Sequence, residues 1–111
     1  MTWQGVILKK SLGDKSLLEL THIVETKKDR YNIVVEDSKK EDFVQKAIKS
    51  VKPKFYIHLV KDKLMYVIFR NHMFKFSRGY PELETARKFG KELGISEEQM
   101  PFENLINYPF G

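Results

Sequence analysis

The stretch "FYIHLVKDKLMYVIFRNHMFKFS", Phe55–Ser77, carries six of the chain's fourteen aromatic residues and a single acid, Asp62. Turn signals at "KDK" (61–63) and "NH" (71–72) cut it into three β-rich strands, an antiparallel meander. Take Lys61–Lys63 as a three-residue loop and Asn71–His72 as a two-residue loop. Leu59 then faces Met65, Ile57 faces Val67, and Phe69 faces both Phe55 and Phe74. One face holds Phe55, Ile57, Leu59, Met65, Val67, Phe69, Phe74 and Phe76. The other holds Tyr56, His58, Val60, Leu64, Tyr66, Ile68, Arg70, Met73, Lys75 and Ser77. A slip of one residue would move side chains across the sheet. The chosen register leaves one face wholly apolar, and burying it yields roughly 1.5–3 kcal/mol per large side chain.

The second face is the candidate functional surface. Tyr56, His58, Tyr66, Arg70 and Lys75 share it without an acid. Rings beside cations bind single-stranded nucleic acid in several modules, each ring stacking a base while the cations meet phosphates. The segment "KLMYVIFRN" lacks the glycine and the aromatic spacing of the RRM signature. Two other readings stand beside this one. The chain itself covers the face, or a protein partner or second copy docks on Val60, Leu64 and Ile68.

Working outward, "GVILKKSL" (5–12) reads as a first strand. Gly13 supplies a turn and Asp14 caps a helical turn through Leu20. Runs 21–26 and 31–36 flank "KKDR" as a hairpin. Ser38 with Glu41 has capping-box spacing. Phe43, Val44, Ala47, Ile48 and Val51 then fall on one helical face, and Pro53 ends a 38–52 helix. Its five lysines read as a solvated face. Pro81 opens a second helix over 81–93, Gly94 closes it, and Ser96 with Gln99 forms another capping box. The apolar tail "MPFENLINYPFG" is expected to fold back on the domain, the alternative being a short partner-binding peptide around Tyr108-Pro109-Phe110.

With 111 residues the chain makes one domain, 1–111. Its +5 net charge is spread, with eleven Lys/Arg against eight acids before position 53 and nine against seven after. Polyanion binding is therefore permitted rather than required. No cysteine is present, which removes disulfides and thiolate chemistry and fits a reducing, cytoplasmic setting. No signal peptide or membrane span is read, and no membrane partner is expected. His22, His58 and His72 lack metal spacing, no glycine loop cradles phosphate, and no serine sits in a nucleophile elbow. The acid pairs Glu36-Asp37 and Glu41-Asp42 suit a helix start. No cofactor or metal is expected.

Three segments together, "MTWQGVILKKSLGDKSLL", "KFYIHLVKDKLMYVIFRNHMFKFS" and "ARKFGKELGISEEQMPFENLI", resemble a group of small uncharacterised microbial α+β proteins. The shared pattern is an aromatic-His strand, a "YVVF"-like strand and a closing "YGxxLGIxxxQLPFE" segment. The resemblance implies one structural unit over 83–105 and carries no function. The expectation is thus an α+β domain with an antiparallel sheet of about six strands. Its two main helices lie on the Phe55/Val67/Phe74 face. The expected role is a non-catalytic interaction module, self-associating or bound to another protein. The alternatives are single-stranded nucleic-acid binding and an enzyme whose site the sequence hides.

Overall fold

The computed structural model describes residues Met1–Gly111. The two-residue turn Asp62–Lys63 decides the arrangement. Both residues have positive φ, +50° and +68°, which is the geometry that lets a two-residue loop join strands of ordinary twist. Lys61 therefore pairs with Leu64, between strands β4 (Ile57–Lys61) and β5 (Leu64–Phe69). The expected three-residue loop is corrected to two, and every side chain of β4 exchanges faces. Leu59 lies opposite Tyr66 and His58 opposite Val67.

At the next turn Phe69 pairs with His72, so Arg70–Asn71, not Asn71–His72, is the loop into β6 (His72–Ser77). Asn71 takes positive φ (+65°), which its short amide side chain tolerates. Here the pairing moves by two residues, and Met65, Val67, Phe69, Phe74 and Phe76 keep the common face expected of them.

The remaining strands are β1 (Thr2–Leu8), β2 (His22–Thr26) and β3 (Arg30–Glu36). All pairs are antiparallel, in the order β2-β3-β1-β4-β5-β6. β1 begins three residues earlier than its sequence suggests and gives way to a short 3-10 turn at Lys9–Ser11. Asp14 does cap the following turn, accepting from Ser16 N at 2.9 Å. In β2 the ladder skips between Ile23 and Glu25, so Val24 is the extra residue of a bulge.

The two main helices were expected on one face. They lie on opposite faces. Helix α1 (Asp37–Ser50) buries Phe43, Val44 and Ala47 against Ile7, Ile33, Val35, Ile57, Leu59, Tyr66 and Ile68, here called the front. Helix α2 (Pro81–Glu92) and the short α3 (Phe102–Asn107) cover the back. There Leu83, Ala86, Ile95, Met100, Phe102 and Leu105 meet Val60, Met65, Val67, Phe69 and Phe76. Covering both faces removes the premise behind the expected register, because neither face needs to be polar.

The α1 start differs as well. Glu36 is its N-cap without a side-chain cap bond, so Ser38 and Glu41 sit inside the helix and form no capping box. The Ser96/Gln99 box is present, and Gly94 takes the left-handed conformation (φ +93°) after α2. No helix is long and apolar enough to cross a membrane.

Gly5 of β1 pairs with Leu59 of β4. A Cβ there would stand 2.0 Å from the His58 carbonyl oxygen. Gly5→Ala is expected to destabilise the fold by about 3 kcal/mol or more, since backbone must move to admit it; a shifted urea midpoint at unchanged slope measures this. Lys63→Gly relieves a left-handed lysine and is expected to stabilise by about 0.5–1 kcal/mol, net of the glycine's entropy. A higher denaturation midpoint is the readout.

Candidate functional site

Because β4 has turned over, the five residues expected on one surface divide between two. Tyr66 and Lys75 face the α1 side. Tyr66 is 4% exposed, and its hydroxyl accepts from Lys40 Nζ at 2.9 Å. Its ring meets Trp3 edge-on at 5.1 Å, with Lys40 and Lys75 over it at 4.9 and 5.5 Å. Trp3 Nε1 donates to Asp37, which also accepts from Lys61. These rings are roofed by cations, and no open stacking surface remains on Tyr66. Arg70 stands at the hairpin tip, reaching the Val51 carbonyl at 3.4 Å. The shared aromatic-basic face is therefore corrected to separate places.

Tyr56 and His58 do come together, on the back, with ring centroids 6.4 Å apart. Tyr56 precedes β4 and lies edge-on to Phe102 at 5.5 Å. Its hydroxyl donates to the Gln99 carbonyl at 2.6 Å, and burial pushes the phenol well above its ordinary range. His58 sits at the middle of the sheet, between Val6 of β1 and Val67 of β5. It is 4% exposed, and its Nε2 lies 2.7 Å from the Pro109 carbonyl. A carbonyl only accepts, so Nε2 carries the proton. Burial lowers the imidazole pKa to about 4 despite that bond, so the ring is neutral at pH 7. Nδ1 is then a bare acceptor.

His58 lines a cavity of about 390 Å³. α2 and α3 cover the β4–β6 half of the back face, and the hollow lies where that cover ends, above Val6 and Leu8 of β1. Phe55, Ile95, Leu105 and Phe110 supply further apolar wall. Arg30, Lys54, Glu98, Gln99 and Asn104 are the polar groups around it. Arg30 holds Asp29 through Nε and Nη2, both at 3.1 Å, which leaves Nη1 uncommitted. The tail folds back as expected: Phe102, Leu105 and Ile106 are buried, and Pro109 reaches over His58. Neutral His58 at the floor, apolar walls and a few polar groups above are the makings of a small-molecule site.

The other histidines stand apart. His22 is exposed near Glu36 at 4.0 Å, and His72 stacks on Phe89 at 4.9 Å. No three acidic, histidine or cysteine side chains converge for a metal ion. Sequence reasoning missed Arg30, Lys54, Gln99 and Asn104, and it read Phe110 only as part of the apolar tail. They come from a hairpin, a loop, a 3-10 turn, a helix and the tail, and no spacing links them. Compared with models of known protein families, with curated proteins and with solved structures, the chain matches none.

The buried histidine sets a pH dependence. Its folded pKa lies below the ordinary 6.5, so the unfolded chain takes up the proton first. The associated stability is present above about pH 6.5 and is lost as pH falls toward 4, where it levels off. The full shift corresponds to about 3 kcal/mol. Urea midpoints from pH 7 to 4 should show this loss. His58→Gln should flatten it, and a ring titration by NMR at an ordinary 6.5 would contradict it.

Proposed function

We propose that the protein is a non-catalytic binding module that holds a small organic molecule in the His58 cavity. The observation that carries the reading is the neutral imidazole on the floor of an apolar hollow, with Nε2 tied to Pro109 and Nδ1 left to accept. Such an arrangement orients a ligand. It does little as a base at neutral pH, because an imidazole pushed to about 4 has small proton affinity. Tyr56, the nearest other titratable ring, has its hydroxyl committed to Gln99 and its pKa raised. Neither residue is poised for proton transfer. The absence of cysteine suits a reducing, cytoplasmic setting.

A second reading keeps a protein partner or a second copy of the chain. Every residue of the edge strand β2 is exposed, including Ile23 at 44% and Val24 at 54%. Unpaired edge groups beside exposed aliphatics suit strand addition. Nucleic-acid binding has less support, since Tyr66 is covered and Tyr56 is committed.

Titrating naphthol into labelled protein and following backbone amides distinguishes these readings. Saturable shifts at His58, Asn104 and Phe110 are expected. Asn104→Trp, a bulky change at an exposed position of the cavity lining, should abolish them while leaving the fold intact. Shifts confined to Ile23 and Val24 that grow with protein concentration alone would instead favour self-association.

A further inference from the structure

Resting on the cavity reading, we infer that the ligand is a small amphipathic anion with a neutral hydrogen-bond donor at the end remote from its charge. The two ends of the site ask for opposite chemistry. At the buried end, the Pro109 carbonyl fixes the proton on Nε2; Nδ1 makes no hydrogen bond yet is not sealed from solvent, so it is the acceptor that His58 can present to the cavity it lines. A ligand group meeting it must bring a hydrogen, as a hydroxyl or an N–H. A charged ammonium is disfavoured there, because the ring is nearly fully buried and a cation would surrender its hydration.

The polar groups farther out reverse the demand. Arg30 and Lys54 both line the cavity, and both side chains reach solvent. Asp29 pairs with Arg30, and Glu98 is the acid among the lining side chains, so Lys54 is the lining cation without an ion-pair partner. Asp29 engages two nitrogens of Arg30 and leaves Nη1 able to donate to an incoming oxygen. A carboxylate is the matching group, since an arginine nitrogen pairs with it by a charge-assisted bond. Val6, Leu8, Phe55 and Phe110 line the same cavity. They favour a flat apolar body, and the hollow of about 390 Å³ has room for roughly one or two fused rings.

The test is a calorimetric series with naphthol, naphthoate and hydroxynaphthoate, the hydroxyl placed across the ring system from the carboxylate. Hydroxynaphthoate is expected to bind about tenfold more tightly than either compound that lacks one group. Arg30→Gln changes a partly exposed side chain and should not threaten folding. It should bring hydroxynaphthoate down to the naphthol level and leave naphthol unchanged. His58→Phe should remove the hydroxyl's advantage and keep the carboxylate's; circular dichroism shows whether that variant is folded. If it is not, the wild-type difference between naphthoate and hydroxynaphthoate decides the donor end alone. Equal binding of naphthol and hydroxynaphthoate would overturn the anionic end. Equal binding of naphthoate and hydroxynaphthoate would overturn the donor end. Failure of all three compounds to bind would overturn the inference and the cavity reading together. Binding without preference among them would overturn only the inference.

Discussion

A left-handed turn of two residues, Asp62–Lys63, governs what the sheet presents to either side. With one more residue in that loop, His58 would point at α1 and Leu59 at the back. With two, the imidazole lies among Val6, Val67 and the tail, while Leu59 and Ile57 complete the core under α1. The turn lacks the glycine that such geometry usually selects. Asp62 tolerates the left-handed region through its short polar side chain, whereas Lys63 is held there by the pairing on both sides. The site thus depends on a local strain that the surrounding ladder overrides.

Coverage on both faces follows from the same register. The front packs as a continuous core beneath α1. On the back, α2, α3 and the 95–102 segment bury the β4–β6 half. Above β1 and the start of β3 no helix follows, and the 54–56 loop, the 95–101 segment and the last residues border the gap. The hollow is what is left between a six-stranded sheet and helices that span part of its width. Its polar groups come from whichever elements border the gap, which is why they share no sequence neighbourhood.

Much of the architecture was legible. The meander, the 22–36 hairpin, both main helices and the Gly94 stop rest on periodicity and local chemistry that the fold obeys. Tertiary context decided the rest. The register of β4 could not be read from hydrophobicity, because Ile57/Leu59 and His58/Val60 both find apolar neighbours once each face has a helix layer. "KDK" gave no glycine to mark a two-residue turn. Ser38 and Glu41 have capping-box spacing, yet α1 starts at Asp37, beside the Trp3 and Lys61 side chains that bind that carboxylate. Of the five candidate residues, Tyr56 and His58 share the back face as expected, whereas Tyr66 and Lys75 lie on the α1 side and Arg70 at the hairpin tip. One slipped strand accounts for separating Tyr66 and Lys75 from His58.

The bulge at Val24 bears on how this sheet ends. A flat edge of five exposed residues would offer an endless template, each added strand exposing another like it. The extra residue breaks the even spacing of amide and carbonyl groups between Ile23 and Glu25 and coils the strand locally. A growing fibre needs every copy to repeat the previous one's geometry, and an edge with uneven spacing does not propagate that way. Strand β2 can therefore leave two aliphatic side chains exposed without offering a template that repeats itself.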